Sequence, residues 1–154
     1  MTAYLDQLRA QLCQQVPFSI LTESSALSWF ATAKIIQLEP GQSLISNRKL
    51  QDRIYLVVEG TVRLLVEQDG EIITLEKRGS GQFLGWVSLL RAEACEWVSA
   101  SDRSLVLALQ AKDFVEVISK NSAFFEWFSS LSQPQETHRV AMAAYELAPK
   151  RTES

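Results

Sequence analysis

The sequence predicts a mainly β domain, a sandwich or barrel of short strands held between helices at either end. Between Lys34 and Gln110 apolar and polar residues alternate and turn signals recur about every eight to twelve residues, the mark of short strands in such a fold. On both sides of that stretch the apolar spacing changes to three and four, which is helical. Size agrees: 154 residues, 47% apolar and 21% charged, with six Gly and four Pro, suit one globular domain whose core needs no staple. One domain is expected over residues 1–154, with helices in 1–33, a β-roll over 34–110 and C-terminal helices over 113–147.

The elements follow in order. Leu5, Leu8, Leu12 and Val16 make residues 4–16 an amphipathic helix that Pro17 ends. Ser24 or Ser25 is placed to cap a second helix carrying Leu27, Phe30 and Ala33, with Trp29 beside them. Strands are expected at 34–38, before the turn Glu39-Pro40-Gly41, and at 43–46. The runs 53–59 and 61–67 flank Gly60 so closely that the pattern predicts a tight hairpin with Glu59-Gly60 at its turn. Asp69-Gly70, between 61–66 and 72–75, predicts a second hairpin.

The next segment breaks the alternation with Gly79, Gly81 and Gly85, and residues 87–90 suffice for one helical turn. Strands return at 97–100 and 104–110. In the latter Leu105, Leu107 and Leu109 share one face and Val106 and Ala108 the other, so burial on both sides is expected. Asp113 then caps an aromatic helix marked by Phe114, Val117, Ile118, Phe125, Phe128 and Leu131, with Phe124 and Trp127 flanking. A last amphipathic helix over 136–147 aligns Val140, Ala144 and Leu147.

Charge and composition exclude several functions. Fifteen Lys and Arg against eighteen Asp and Glu give a net charge of −3, so no basic field draws nucleic acid. The start carries Asp6 and regular polar residues, unlike a signal peptide, and no apolar run approaches the roughly 20 residues of a membrane span. A cytoplasmic protein without direct membrane insertion is expected. Cys13 and Cys95 lie far apart without CxxC spacing, and His138 is the single imidazole, so neither a metal site nor a disulfide framework is expected.

Motifs read singly point away from catalysis. The segment 79–85, GSGQFLG, has neither the GK[ST] ending of a phosphate loop nor dinucleotide spacing, and reads as a turn between strands. His138 stands between Glu136 and Arg139 on a solvated helix, and Glu67, Asp69 and Glu71 read as a soluble hairpin tip. No Ser lies in GxSxG and no His is placed to activate one, so no catalytic residue is assigned and an enzyme is not expected. Cys95, beside Glu96, reads as a structural thiol because an acidic neighbour does not favour a reactive thiolate.

Several motifs in order carry a resemblance: Pro40-Gly41; Tyr55-Leu56-Val57-Val58-Glu59-Gly60-Thr61-Val62; Gly70; Gly81-Gln82-Phe83-Leu84-Gly85 with Leu89-Leu90; and Val98-x-Ala100. Over about residues 17–131 the chain resembles the cyclic-nucleotide-binding domain family, that of catabolite activator protein and protein kinase A regulatory subunits. The resemblance implies an eight-stranded jelly roll with helices at both ends. It also implies a phosphate-binding cassette, in which a Glu after Gly grips the ribose hydroxyl, a short helix offers backbone N–H groups, and Arg followed by Ser or Thr clamps the cyclic phosphate.

Here Trp86 stands at the Glu, and anchoring on Trp97-Val98-x-Ala100 puts Ala94 at the Arg and Cys95 at the Ser or Thr, in a shortened loop. The ligand-site residues implied are Phe83, Gly85, Trp86, Val87, Ser88, Arg91, Ala94 and Cys95, with Trp86 in the ribose space, sealing the pocket or shaping it for an apolar ligand. Loss of an Arg–phosphate contact removes about 1.5–3 kcal/mol per hydrogen bond, which disfavours cAMP and cGMP. No cofactor is expected.

The leading expectation is a non-catalytic regulatory domain, part of a larger protein, with weak or absent nucleotide binding. No basic helix-turn-helix follows before Ser154, and family members fused in front of ABC-type exporters suggest one parent by resemblance. The rival is a true nucleotide sensor using Arg91 and the backbone of residues 85–88. A cupin-like isomerase or dioxygenase needs several metal ligands inside the roll, which a lone His138 outside it does not supply. The aromatic C-terminal helices are expected to contact a second copy or a parent domain.

Overall fold

Alternation in the middle of the chain resolves into two four-stranded sheets. The computed structural model describes residues 2–46 and 48–131. One sheet runs β1 (Lys34–Leu38), β8 (Ser104–Gln110), β3 (Arg53–Glu59), β6 (Phe83–Leu84). The other runs β2 (Ser43–Ile45), β7 (Val98–Ala100), β4 (Val62–Gln68), β5 (Glu71–Arg78), and every pairing in both is antiparallel. This is the mainly β jelly roll with flanking helices that the resemblance implied.

The two faces of β8 explain how the layers stack. Val106 and Ala108 point between the sheets, where they meet Leu38, Tyr55, Val57, Val62, Leu64 and Val98. Leu107 and Leu109 point the other way, into a second core under the helices. All four are at most 1% exposed, so the expectation of burial on both sides holds.

The helix-side core is aromatic. Phe18, Trp29, Phe30, Phe83, Trp86, Phe114, Phe124 and Phe128 belong to it, with ring pairs such as Phe18–Phe30 at 4.7 Å and Phe114–Phe128 at 5.0 Å. The first pair is tilted and the second edge-to-face, and favourable aromatic pairs add about 0.5–1.5 kcal/mol each beyond area burial. Phe114, Phe124 and Phe128 are fully buried, so the domain absorbs most of the aromatic surface that the sequence suggested for a partner; Val115 and Phe125 stay exposed.

The hairpin expected around Gly60 does not form. β3 pairs with β6 and β8 while β4 pairs with β5 and β7, so residue 60 is a corner where the chain leaves one sheet for the other. Glycine is required there: φ is +91°, and a Cβ would run into Ser104 and lie 2.6 Å from the Arg103 carbonyl oxygen. The Thr61 N–H donates to Ser104 Oγ at 3.1 Å and fixes the corner. By contrast Asp69-Gly70 forms the predicted two-residue turn, with φ of 53° and 80° and the Gln68–Glu71 pair closing it.

Helix ends shift from the sequence expectations for local reasons. The first helix, α1, spans Thr2–Leu12, and the second, α2, spans Glu23–Phe30, capped by Thr22 Oγ1, which accepts from the Ser25 N–H at 3.2 Å, rather than by Ser24 or Ser25. Arg9 donates to the Phe30 carbonyl at 2.9 Å and ties α1 to the end of α2. A short helix, α3 (Trp86–Arg91), occupies the glycine-led segment. The single aromatic helix expected after β8 is two, α4 (Ala111–Lys120) and α5 (Ser122–Ser129), with Gln110 in place of Asp113 at the first cap. Asn121 makes the break: its backbone is extended and its Oδ1 accepts from the Phe124 N–H at 3.0 Å, starting α5. The expected helix over 136–147, with His138, lies outside the described residues.

Candidate functional site

Where β6 ends, Gly85 turns the chain into α3. Its φ of +91° suits glycine, and a Cβ would stand 3.1 Å from the Arg53 carbonyl oxygen and 3.6 Å from the Tyr55 ring. Tyr55 is buried against this turn, and burial, followed by the nearby Asp52 carboxylate, pushes its phenol above the ordinary tyrosine range. The first turn of α3 thus presents backbone N–H groups with no partner in the helix itself.

Glu96 takes one of those donors, at Ser88, together with the N–H of Gly85 before the helix. The Gly85 N–H donates to Glu96 Oε2 at 2.8 Å, the Ser88 N–H to Oε1 at 2.7 Å, and the Ser88 hydroxyl to Oε1 at 2.8 Å. Glu96 is 3% exposed and Ser88 4%, so the cluster is closed to bulk water. All three donors are neutral and converge on this one carboxylate.

The segment between α3 and β7 is built to deliver that carboxylate. Ala92 ends α3 in the left-handed region at φ 54°, reversing the chain, and the Glu93 N–H returns to the Ser88 carbonyl at 3.1 Å. The Cys95 N–H lies 3.4 Å from Ser88 Oγ, and Cys95 Sγ is 3.5 Å from the same oxygen. Residues 92–96 therefore form a strap folded back over α3.

The structure distributes the other residues implied by the resemblance. Phe83, Trp86 and Val87 are buried in the helix-side core, and the Trp86 ring, expected in the ribose space, packs edge-on against Phe128 at 5.7 Å. Arg91 is half-buried in the last turn of α3, with Nη2 3.9 Å from Glu93 Oε2. Ala94 and Cys95 lie half-buried on the strap. Gly85 and Ser88 meet at one point, and what joins them is Glu96, which sequence reasoning noticed only as a neighbour of Cys95. The signal was present: Glu96 is the acid directly before Trp97-Val98-x-Ala100, one residue past the Ser or Thr position.

A family model described as cyclic nucleotide-binding domain matches residues 35–121, more than half of the chain. The chain belongs to the cyclic nucleotide-binding domain family. Among solved structures similar to this family member is a mutant regulatory subunit of a cAMP-independent protein kinase A from Trypanosoma brucei, with cAMP in its A site. It has 18% identity and a TM-score of 0.71, over 91% of this chain and 53% of that one. The sensor domain of the transcriptional regulator DNR from Pseudomonas aeruginosa matches at 12% identity and a TM-score of 0.70, over 95% and 97% of the two chains. Catabolite activator protein from Thermus thermophilus matches at 24% and 0.61, over 82% and 59%. These likenesses show the fold, and the chain spans about half the length of the kinase subunit. No curated protein matches.

Proposed function

We propose that this chain is a non-catalytic regulatory domain whose phosphate cradle is occupied by its own Glu96, so that cAMP and cGMP bind weakly or not at all. One observation carries the reading: the Glu96 carboxylate takes the N–H groups of Gly85 and Ser88 at 2.7–2.8 Å. A cyclic phosphate needs donors of this kind, and the tethered carboxylate competes from within the same chain. Displacing it gives up three hydrogen bonds to a charged acceptor, each about 1.5–3 kcal/mol, and sets phosphate against carboxylate. Ala94 and Cys95 supply no guanidinium or hydroxyl in compensation.

No cofactor is required by this reading. The domain, cytoplasmic in this account, serves a larger protein, for which the N-terminal region of an ABC-type exporter is the candidate by resemblance. Its contact with that parent, or with a second copy, runs through the C-terminal helices, where Val115 and Phe125 are exposed.

The rival sensor would use Arg91. Thermal unfolding of the full chain with 1 mM cAMP, cGMP or linear AMP separates the two. The reading predicts no shift with any of them, and none in Arg91→Ala. A ligand with a dissociation constant near 10 μM would add about 2.7 kcal/mol and several degrees. Such a shift with cyclic but not linear nucleotide, lost in Arg91→Ala, would overturn the proposal in favour of a sensor.

A further inference from the structure

The outer face of the second sheet carries a row of residues that play no part in the Glu96 cradle. Val62 and Leu64 point between the sheets, as do Val98 and Ala100, so Arg63 of β4 and Ser99 of β7 point outward. Register sets them side by side: Arg63 lies opposite Ser99 on one flank and opposite Lys77 of β5 on the other, and Ser99 lies opposite Ser43 of β2. Directly opposed residues hold their Cβ atoms about 4.5–5.5 Å apart, so a hydroxyl, a guanidinium and an ammonium share one short stretch of surface. The helices pack on the other sheet, where their core draws on β1, β3, β6 and β8.

Three observations mark this row as incomplete on its own. Like charges directly opposite each other destabilise a sheet, yet neither Arg63 nor Lys77 forms an ion pair among the described residues. The residues two positions away along all four strands are uncharged, so no carboxylate on the same face offsets the pair. Arg63 Nε is shut off from solvent without an acceptor, so this side chain lies down on the sheet. Beside it Ser99 is only 6% exposed, and its hydroxyl has no hydrogen-bond partner among the described residues, where a buried hydroxyl ordinarily finds one.

We infer that Arg63, Lys77 and Ser99 form a binding site for a dianionic phosphate group, with Ser43 at its rim. Two cations match the double charge that a phosphate monoester or free phosphate carries above its second pKa, near 6. The Arg63 Nη groups donate to two oxygens in the fork geometry that guanidinium offers, the Lys77 ammonium takes the third, and the Ser99 hydroxyl donates from beneath. A cyclic nucleotide has instead a singly charged diester with two free oxygens, so this site differs in chemistry as well as in place from the cradle at Gly85.

Titration of the 15N-labelled full chain with glycerol 2-phosphate and with inorganic phosphate tests this, at about pH 7.5, where both are mostly dianions. Dimethyl phosphate, a singly charged diester, and sodium chloride at matched ionic strength are the controls. The expected result is a saturable shift, at millimolar ligand, of the Arg63 Nε–H and of the Ser99 and Lys77 amides, with Gly85 and Ser88 unmoved; the tighter of the two dianions identifies the source as esterified or free phosphate. Arg63→Gln weakens binding about tenfold or more. Lys77→Gln, at an exposed position, weakens it severalfold even if the Arg63 variant fails to fold. No saturable shift at tens of millimolar overturns the inference, as does a shift that chloride or the diester reproduces or that neither variant weakens.

Discussion

Glu96 has no counterpart in the cassette that the family resemblance implies, yet it carries the densest polar contacts of the site. Removing its carboxylate strands the Gly85 and Ser88 N–H groups in a place that excludes bulk water, and each buried unpaired group costs about 1–3 kcal/mol. Glu96→Ala is therefore expected to lower stability by about 3 kcal/mol in urea unfolding, with Glu96→Gln, which keeps an acceptor, losing less. Equal losses would mean that packing, not the hydrogen bonds, holds the strap.

At the scale of elements, legibility followed how local the cause is. The Asp69-Gly70 turn was legible because two adjacent residues with positive φ specify it. Gly60 misled, because a glycine between two apolar runs suits a hairpin and a corner between sheets alike; what decides is the distant Ser104, 43 residues beyond Thr61 in sequence. The aromatic spacing runs across Asn121 without interruption, so the break between α4 and α5, made by the Asn121 cap, leaves no mark in it. Sequence reading placed α3 nearly in full, but the strap returning over it depends on Ala92 in the left-handed region, which composition does not mark. That conformation costs alanine about 1 kcal/mol, so Ala92→Gly is expected to raise the unfolding midpoint by about 3 °C. An unchanged or lower midpoint would count against the reversal at Ala92.

Across the whole molecule, two cores share one sheet: the sandwich interior lies on one side of β3 and β8, and the aromatic core beneath the helices on the other. Trp86, beside the Gly85 turn, packs with Phe128 of α5, so α3 and the C-terminal helices are joined through the aromatic core. The fold was legible because eight short strands, their turns and their order leave a pattern along the chain; the state of the cradle was not, because it rests on one carboxylate brought back by the strap. In the proposed function this carboxylate, not a ligand, holds the cradle. The most direct measurement follows the Gly85 and Ser88 amide resonances of 15N-labelled protein during titration with cAMP to millimolar concentration. Both are expected to stay in place with cAMP and to move when Glu96 is replaced by Gln; a saturable shift of both with cAMP in the unaltered chain would overturn the proposed function.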